Sequence, residues 1–150
     1  MAWSASKVFA YTMLQLATGK NFELGTDSFK VALYGNSGTP DNTVATAALT
    51  EYNGAASQWV TANESSGTNY SAGGSALSGE AVAQTTNVVA LSASNLTFSN
   101  VSITAYGCLV YDTSVSNEGL CFNYFGGEQL VTTGNLIVSW NASGIASWTC

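Results

Sequence analysis

Few side chains in this sequence can do chemistry. It holds nine carboxylates, three lysines and three cysteines, with no histidine and no arginine. Without histidine, the commonest general base near neutral pH and the commonest transition-metal ligand are both missing, so Ser–His–Asp and Cys–His catalysis is excluded. Carboxylate pairs are what remains. Glu51 with Glu64, or Glu64 with Glu80, has the residue types for glycoside hydrolysis, and Trp59 and Tyr70 have those of sugar platforms. No paired or repeated acidic motif surrounds them, and sparse acids in a β-rich chain are ordinarily solvated or turn-forming, so no catalytic residue is assigned. Asp41 and Asn42 lack the dense oxygen-ligand spacing of a calcium loop. Cys108, Cys121 and Cys150 are an odd number without metal-ligand spacing. Buried free thiols are the expectation, with Cys108 and Cys121 placed to face one another across a hairpin. No cofactor and no metal is expected.

The stretch GTNYSAGGSALSGE, Gly67 to Glu80, has the glycine content of a phosphate loop. It has neither the G-x-G-x-x-G nor the G-x-x-x-x-G-K-[ST] order, no lysine near it and strands rather than a βα unit after it. Its glycines are expected to supply left-handed turns and close backbone approach, with Tyr70 pinning the loop to the body or to a neighbour. Glu64, just before the loop, has two readings of equal weight. Its carboxylate can accept hydrogen bonds from the loop's backbone N–H groups and hold it shut; the alternative is a solvated surface glutamate.

These residues must be positioned by a chain of 150 residues, 46% hydrophobic and 11% aromatic, of which only 8% are charged. That is enough for one domain with a sizeable core, expected as a helical arm over 1–27 and a β core over 28–150. The formal net charge is −6, and Lys7, Lys20 and Lys30 are the only cations, so direct nucleic-acid binding is not expected. KVFAYTMLQLA has the length of a signal-peptide apolar region without its cleavage pattern, and no run approaches a membrane span, so a soluble protein is expected. Five N-x-S/T sequons, at Asn63, Asn69, Asn95, Asn100 and Asn141, are about what this composition produces by chance.

Residues 4–19 read as the one helix. Ser4 is its expected N-cap, Ala5, Phe9, Met13 and Leu16 its apolar stripe, and Gly19 its C′ residue. Its broad apolar surface predicts burial on more than one side. From Phe29 the period becomes two, Phe29, Val31 and Leu33 against Lys30, Ala32 and Tyr34, the pattern of a half-buried strand ended by Gly35. Further strands follow around Trp59, in TNVVALSA, LTFSNVSITAYGCLVYD, GLCFNYFGG and NLIVSWNASGIASWT. Parity puts Val101, Ile103, Ala105, Leu109 and Tyr111 on one face, Cys108 and Val110 on the other, and groups Leu120 with Phe122 and Tyr124. TSVSNEG should turn one strand back on the next. The predicted fold is mainly β, an antiparallel β-sandwich or small barrel with one N-terminal α-helix. Apolar residues on both strand faces predict a covered outer side.

FKVALYGNSGTPD from Phe29, QWVTANESSGTNYSAGG from Gln58, and YGCLVYD with GLCFNYFGG from Tyr106 resemble small virion structural proteins of tailed bacteriophages, among them capsid decoration or cement proteins. The resemblance runs from about Phe29 to Trp148. It implies a non-enzymatic β-rich subunit on the capsid exterior, with the major capsid protein as partner and a homo-oligomer such as a trimer. A tail or fibre component with a glycan- or host-binding role is the alternative. The expected assembly contacts are Lys7, Phe9, Met13, Lys20, Lys30, Trp59 and Tyr70, the lysines docking to an acidic capsid surface.

Overall fold

A computed structural model describes residues 3–19 and 22–149; Lys20 and Cys150 lie outside the described residues. The chain is mainly β, with two antiparallel sheets. β1 (Lys7–Val8) is followed by α1 (Ala10–Ala17), β2 (Phe29–Tyr34), the short helix α2 (Ala47–Thr50) and β3 (Ser75–Ala76). Then come β4 (Ala81–Thr85), β5 (Val88–Ser92), β6 (Leu96–Asp112), β7 (Glu118–Val138) and β8 (Ala146–Thr149). One sheet has the order β1-β7-β6-β2-β3, the other β4-β5-β8, the arrangement of a β-sandwich.

β2 forms where FKVALY alternates, and both of its faces are buried for different reasons. Phe29, Val31 and Leu33 join the core between the sheets with Leu91, Cys108, Val110, Leu136 and Val138. Ala32 and Tyr34 face an aromatic cluster of Trp3, Phe9, Trp59, Leu109, Tyr111 and Phe122. The cover on this outer side is the chain itself: the N-terminal segment supplies Trp3 and Phe9, and the long β2–β3 connection supplies Trp59. Trp59 meets Tyr34 edge-on with ring centres 5.1 Å apart and stacks on Phe122 at 5.7 Å with the planes inclined by 29°. Removing a buried ring of this size costs about 3–5 kcal/mol, so the cover is a second core.

The hairpin turn over residues 113–117 folds β7 onto β6 as expected, with Val110 opposite Cys121. Parity along these strands departs from the sequence reading. Val101, Ile103 and Ala105 lie in the inter-sheet core with Cys108 and Val110, whereas Leu109 and Tyr111 lie in the aromatic cluster. The register shift between Ala105 and Gly107 is the cause: an irregularity there reverses which side chains face which layer. A second shift, between Val110 and Tyr111, leaves Leu120 unmatched, so it points into the inter-sheet core while Phe122 and Tyr124 face the aromatic one.

The helix also differs from expectation. It begins at Ala10, with Phe9 in the N-cap position and no side-chain cap, instead of at Ser4. Residues 3–8 are drawn elsewhere, because Trp3 is buried and β1 pairs Lys7 with Phe122 and Val8 with Cys121. The residues read as a helical arm are thus tied into the sheet. Gly19 does close the helix, at φ +65 with its N–H on Leu16 O. The buried face of α1 is polar, Thr12 and Gln15, and the Thr12 hydroxyl donates to Gly119 O at 2.6 Å. Met13 and Leu14 are left 38% and 55% exposed, so the helix is covered on one side only.

Candidate functional site

The β2–β3 connection returns along the free side of β6 after leaving the aromatic cluster. Ser65 N–H donates to Leu33 O at 2.8 Å and its hydroxyl to Thr104 O at 2.8 Å; Thr68 exchanges backbone bonds with Ser102. This path extends the sheet past the end of β2 and fixes Glu64, whose backbone bridges Tyr34.

The Glu64 carboxylate is the centre of a hydrogen-bond cluster. The Gly73 N–H donates to Oε1 at 2.9 Å and Oε2 at 3.1 Å, the Tyr52 hydroxyl donates to Oε2 at 2.9 Å, and the Tyr70 hydroxyl donates to Oε1. The Tyr70 oxygen in turn accepts the Leu33 N–H at 2.8 Å. From the opposite side the Tyr111 hydroxyl donates to Gly73 O at 2.8 Å, and its ring stacks on Tyr52 with centres 4.8 Å apart. Glu64 therefore holds the glycine loop through Gly73, which decides between the two readings its sequence position left open. Two glycines make the closure sterically feasible. Gly74 has φ +66, and a Cβ there would lie 1.7 Å from Val31 O; a Cβ on Gly67 would lie 2.0 Å from Ser102 O. The stretch is neither linker nor nucleotide cradle but a loop fastened to β2 and β6.

The electrostatics agree with fastening. Burial pushes the hydroxyl pKa values of Tyr34, Tyr52, Tyr70 and Tyr111 upward, and the neighbouring Glu64 charge adds to the rise in each. At neutral pH the four phenols are protonated. Tyr52 and Tyr70 spend their protons on the carboxylate, leaving no phenolate nucleophile and little unused acceptor capacity on Glu64. Glu51 is the C-cap residue of α2 and Glu80 just precedes β4, and the hydrogen bonds of the Glu64 carboxylate go to Tyr52, Tyr70 and Gly73. Among the described residues no three His, Cys, Asp or Glu side chains gather as a metal ion would need. Asp41 Oδ1 is taken by the Thr43 N–H and hydroxyl, which hold its carboxyl below the usual range.

Of the expected contact residues, Phe9 and Trp59 are 0% and 2% exposed, buried in the aromatic cluster, and offer no surface to a partner. Tyr70 is half-buried, with its hydroxyl engaged by Glu64 and its ring against Phe98 at 5.5 Å. Lys7 and Met13 are exposed and Lys30 is half-buried. Lys7 on β1 and Lys30 on β2 have β7 and β6 between them, so these two do not form one basic patch. Cys108 and Cys121 are buried free thiols, diagonal across the hairpin, since Cys108 pairs with Asn123. Burial raises both, Cys121 to about 12.

Sequence reasoning missed Tyr52 and Tyr111, whose hydroxyls arrive from 12 residues before Glu64 and 38 residues after Gly73. It also missed Asp112, fully buried at the end of β6, with Oδ1 accepting the Ser114 N–H at 2.7 Å. Burial, with Asp27 beside it as the next cause, raises the Asp112 carboxyl to about 7. No family model, curated protein or solved structure matches this chain.

Proposed function

We propose that the chain is a non-enzymatic virion structural protein, a capsid decoration subunit that binds the outer surface of a tailed-phage head and stabilises it. One contrast supports this reading most. The best-organised polar cluster, Glu64 with its tyrosines, is consumed internally in closing a loop, while apolar side chains stand exposed at Leu14, Leu130 and Ile137. Such a chain has more to offer a large partner surface than a small substrate. The partner is the major capsid protein, and Lys7 and Met13 remain surface contacts for it.

The tail or fibre reading is weakened by the burial of Trp59, which removes the strongest sugar platform. The test is to add purified protein to heads lacking it and to measure sedimentation with the heads and their resistance to heat. Saturable binding that raises the temperature of head disruption supports decoration. Absence of binding, or specific retention on a glycan array, overturns it.

A further inference from the structure

We infer that the turn over residues 22–27 is an acid-closed latch on the β core, shut by a proton shared between the Asp27 and Asp112 carboxyls and loosened when both ionise. The inference goes beyond the proposed function and does not depend on it.

The turn is bonded to itself. Glu23 O accepts the Thr26 N–H at 2.8 Å and the Asp27 N–H at 3.0 Å, the Glu23 N–H donates to Asp27 Oδ2 at 2.5 Å, and the Thr26 hydroxyl donates to Glu23 Oε2 at 3.1 Å. Its apolar anchors are Phe22, buried in the inter-sheet core, and Leu24, packed against that core. Its one polar tie to the core, among the described residues, is the Asp27 carboxyl against Asp112. The chain just after the turn is fixed. Ser28 O accepts both the N–H and the hydroxyl of Thr113 at 2.8 Å, Ser28 N–H donates to Ser114 Oγ at 3.0 Å, and Phe29 stands opposite Asp112 in the ladder. These bonds carry Asp27 to Asp112 and make Ser28 the pivot of the turn.

Asp112 is fully buried. Its Oδ1 accepts the Ser114 N–H, and its Oδ2 has no donor of its own. The charged groups around it are acids: Asp27 from the turn, with Glu23 behind it, and from β7 the buried Glu118, opposite Asp112 in the ladder. Lys30 on β2 stands opposite Tyr111, on the aromatic face of the sheet. Two carboxyls in contact away from water attract only while one of them keeps a proton. Burial, with Asp27 as the next cause, raises the Asp112 carboxyl to about 7. The closed latch is therefore favoured in acid, and its advantage is lost as pH climbs through 7. Leu24 also walls an apolar groove with Met13, Leu16, Val89 and Trp148, so lifting the turn uncovers apolar surface.

Amide hydrogen exchange of the full chain at pH 5.5 and pH 8.5, expressed as protection factors, tests the latch. Protection at Thr26 and Asp27 should fall at least about threefold at the higher pH, by an opening insensitive to low urea. D27N keeps an oxygen for the Glu23 N–H and turns an NH2 group toward Asp112, and D112N turns one toward Asp27, so in each variant protection at the two pH values should agree within about twofold. Circular dichroism at pH 5.5 should match wild type in both. Equal protection in wild type at the two pH values overturns the inference. So does a fall that matches the β2–β6 ladder in size and urea dependence, which is global unfolding, or a D27N protein as pH-sensitive as wild type. The measurement needs no heads, so its failure leaves decoration standing, and failure to bind heads leaves the latch standing.

Discussion

Replacing Glu64 with glutamine tests the loop clamp with almost no change of volume. The carboxylate accepts two tyrosine hydroxyls and one backbone N–H, and each such bond to a charged acceptor is worth about 1.5–3 kcal/mol net. Glutamine keeps one acceptor oxygen and turns an NH2 group toward donors, so at least one bond is lost and one donor is left facing another. The expected cost is about 2–4 kcal/mol. For a chain of this size each kcal/mol lowers Tm by roughly 2–4 °C, so a fall on the order of 4–16 °C follows. Y70F removes one of the same bonds and strands the Leu33 N–H, at about 1–3 kcal/mol. Because both changes act on one contact, the double variant should fall short of the sum by about 1 kcal/mol or more. Urea melts of the four proteins measure this, and amide exchange at Gly73 should quicken in E64Q. A Tm for E64Q within about 1 °C of wild type, or strict additivity with Y70F, would refute the clamp.

Asp112 should make stability fall with rising pH. Its folded-state pKa, about 7, lies above the ordinary carboxylate value, so the folded protein holds the proton more tightly than the unfolded chain does. Stability is then greatest below about pH 4 for this group and declines as pH climbs through 7. D112N removes that decline and should stabilise the protein at pH 8 more than at pH 5; equal effects in urea melts at the two values would contradict it. Gly74→Ala, with its left-handed φ and a Cβ 1.7 Å from Val31 O, should prevent stable folding, whereas Gly126→Ala, at φ +83 with no atom within 4 Å, should cost only about 1 kcal/mol. Thermal melts compare the two. Cys108 and Cys121 should resist a thiol reagent at neutral pH until the protein is denatured, and rapid native labelling of either would contradict their burial.

The parts of this structure legible in the sequence are those set by local pattern. The alternation in β2 sorted its side chains between two faces correctly, because a short strand without bulges keeps period two throughout, but the half-buried strand it suggested is buried on both faces. Glu64 was half legible: the acid and the loop it closes are only nine residues apart at Gly73, which made the clamp one of two even readings, but the cluster around the carboxylate depends on Tyr52 and Tyr111 from elsewhere in the chain. The long β6–β7 pair defeated the same reasoning, since each register shift flips parity and nothing between Ala105 and Gly107 announces one. Ser4 is a sound N-cap by type, yet the burial of Trp3 outweighs a cap worth about 1 kcal/mol. Exposure of Phe9 and Trp59 was misjudged because the sequence cannot say which aromatic covers which sheet face.

The measurement that bears most directly on the proposed function is the copy number of this chain in purified phage particles, by quantitative mass spectrometry against the major capsid protein. A decoration subunit should be present in a fixed, high ratio to the capsid protein and be lost together with head stability when its gene is deleted. Absence from the particle, or a few copies that co-purify with tails, would contradict it.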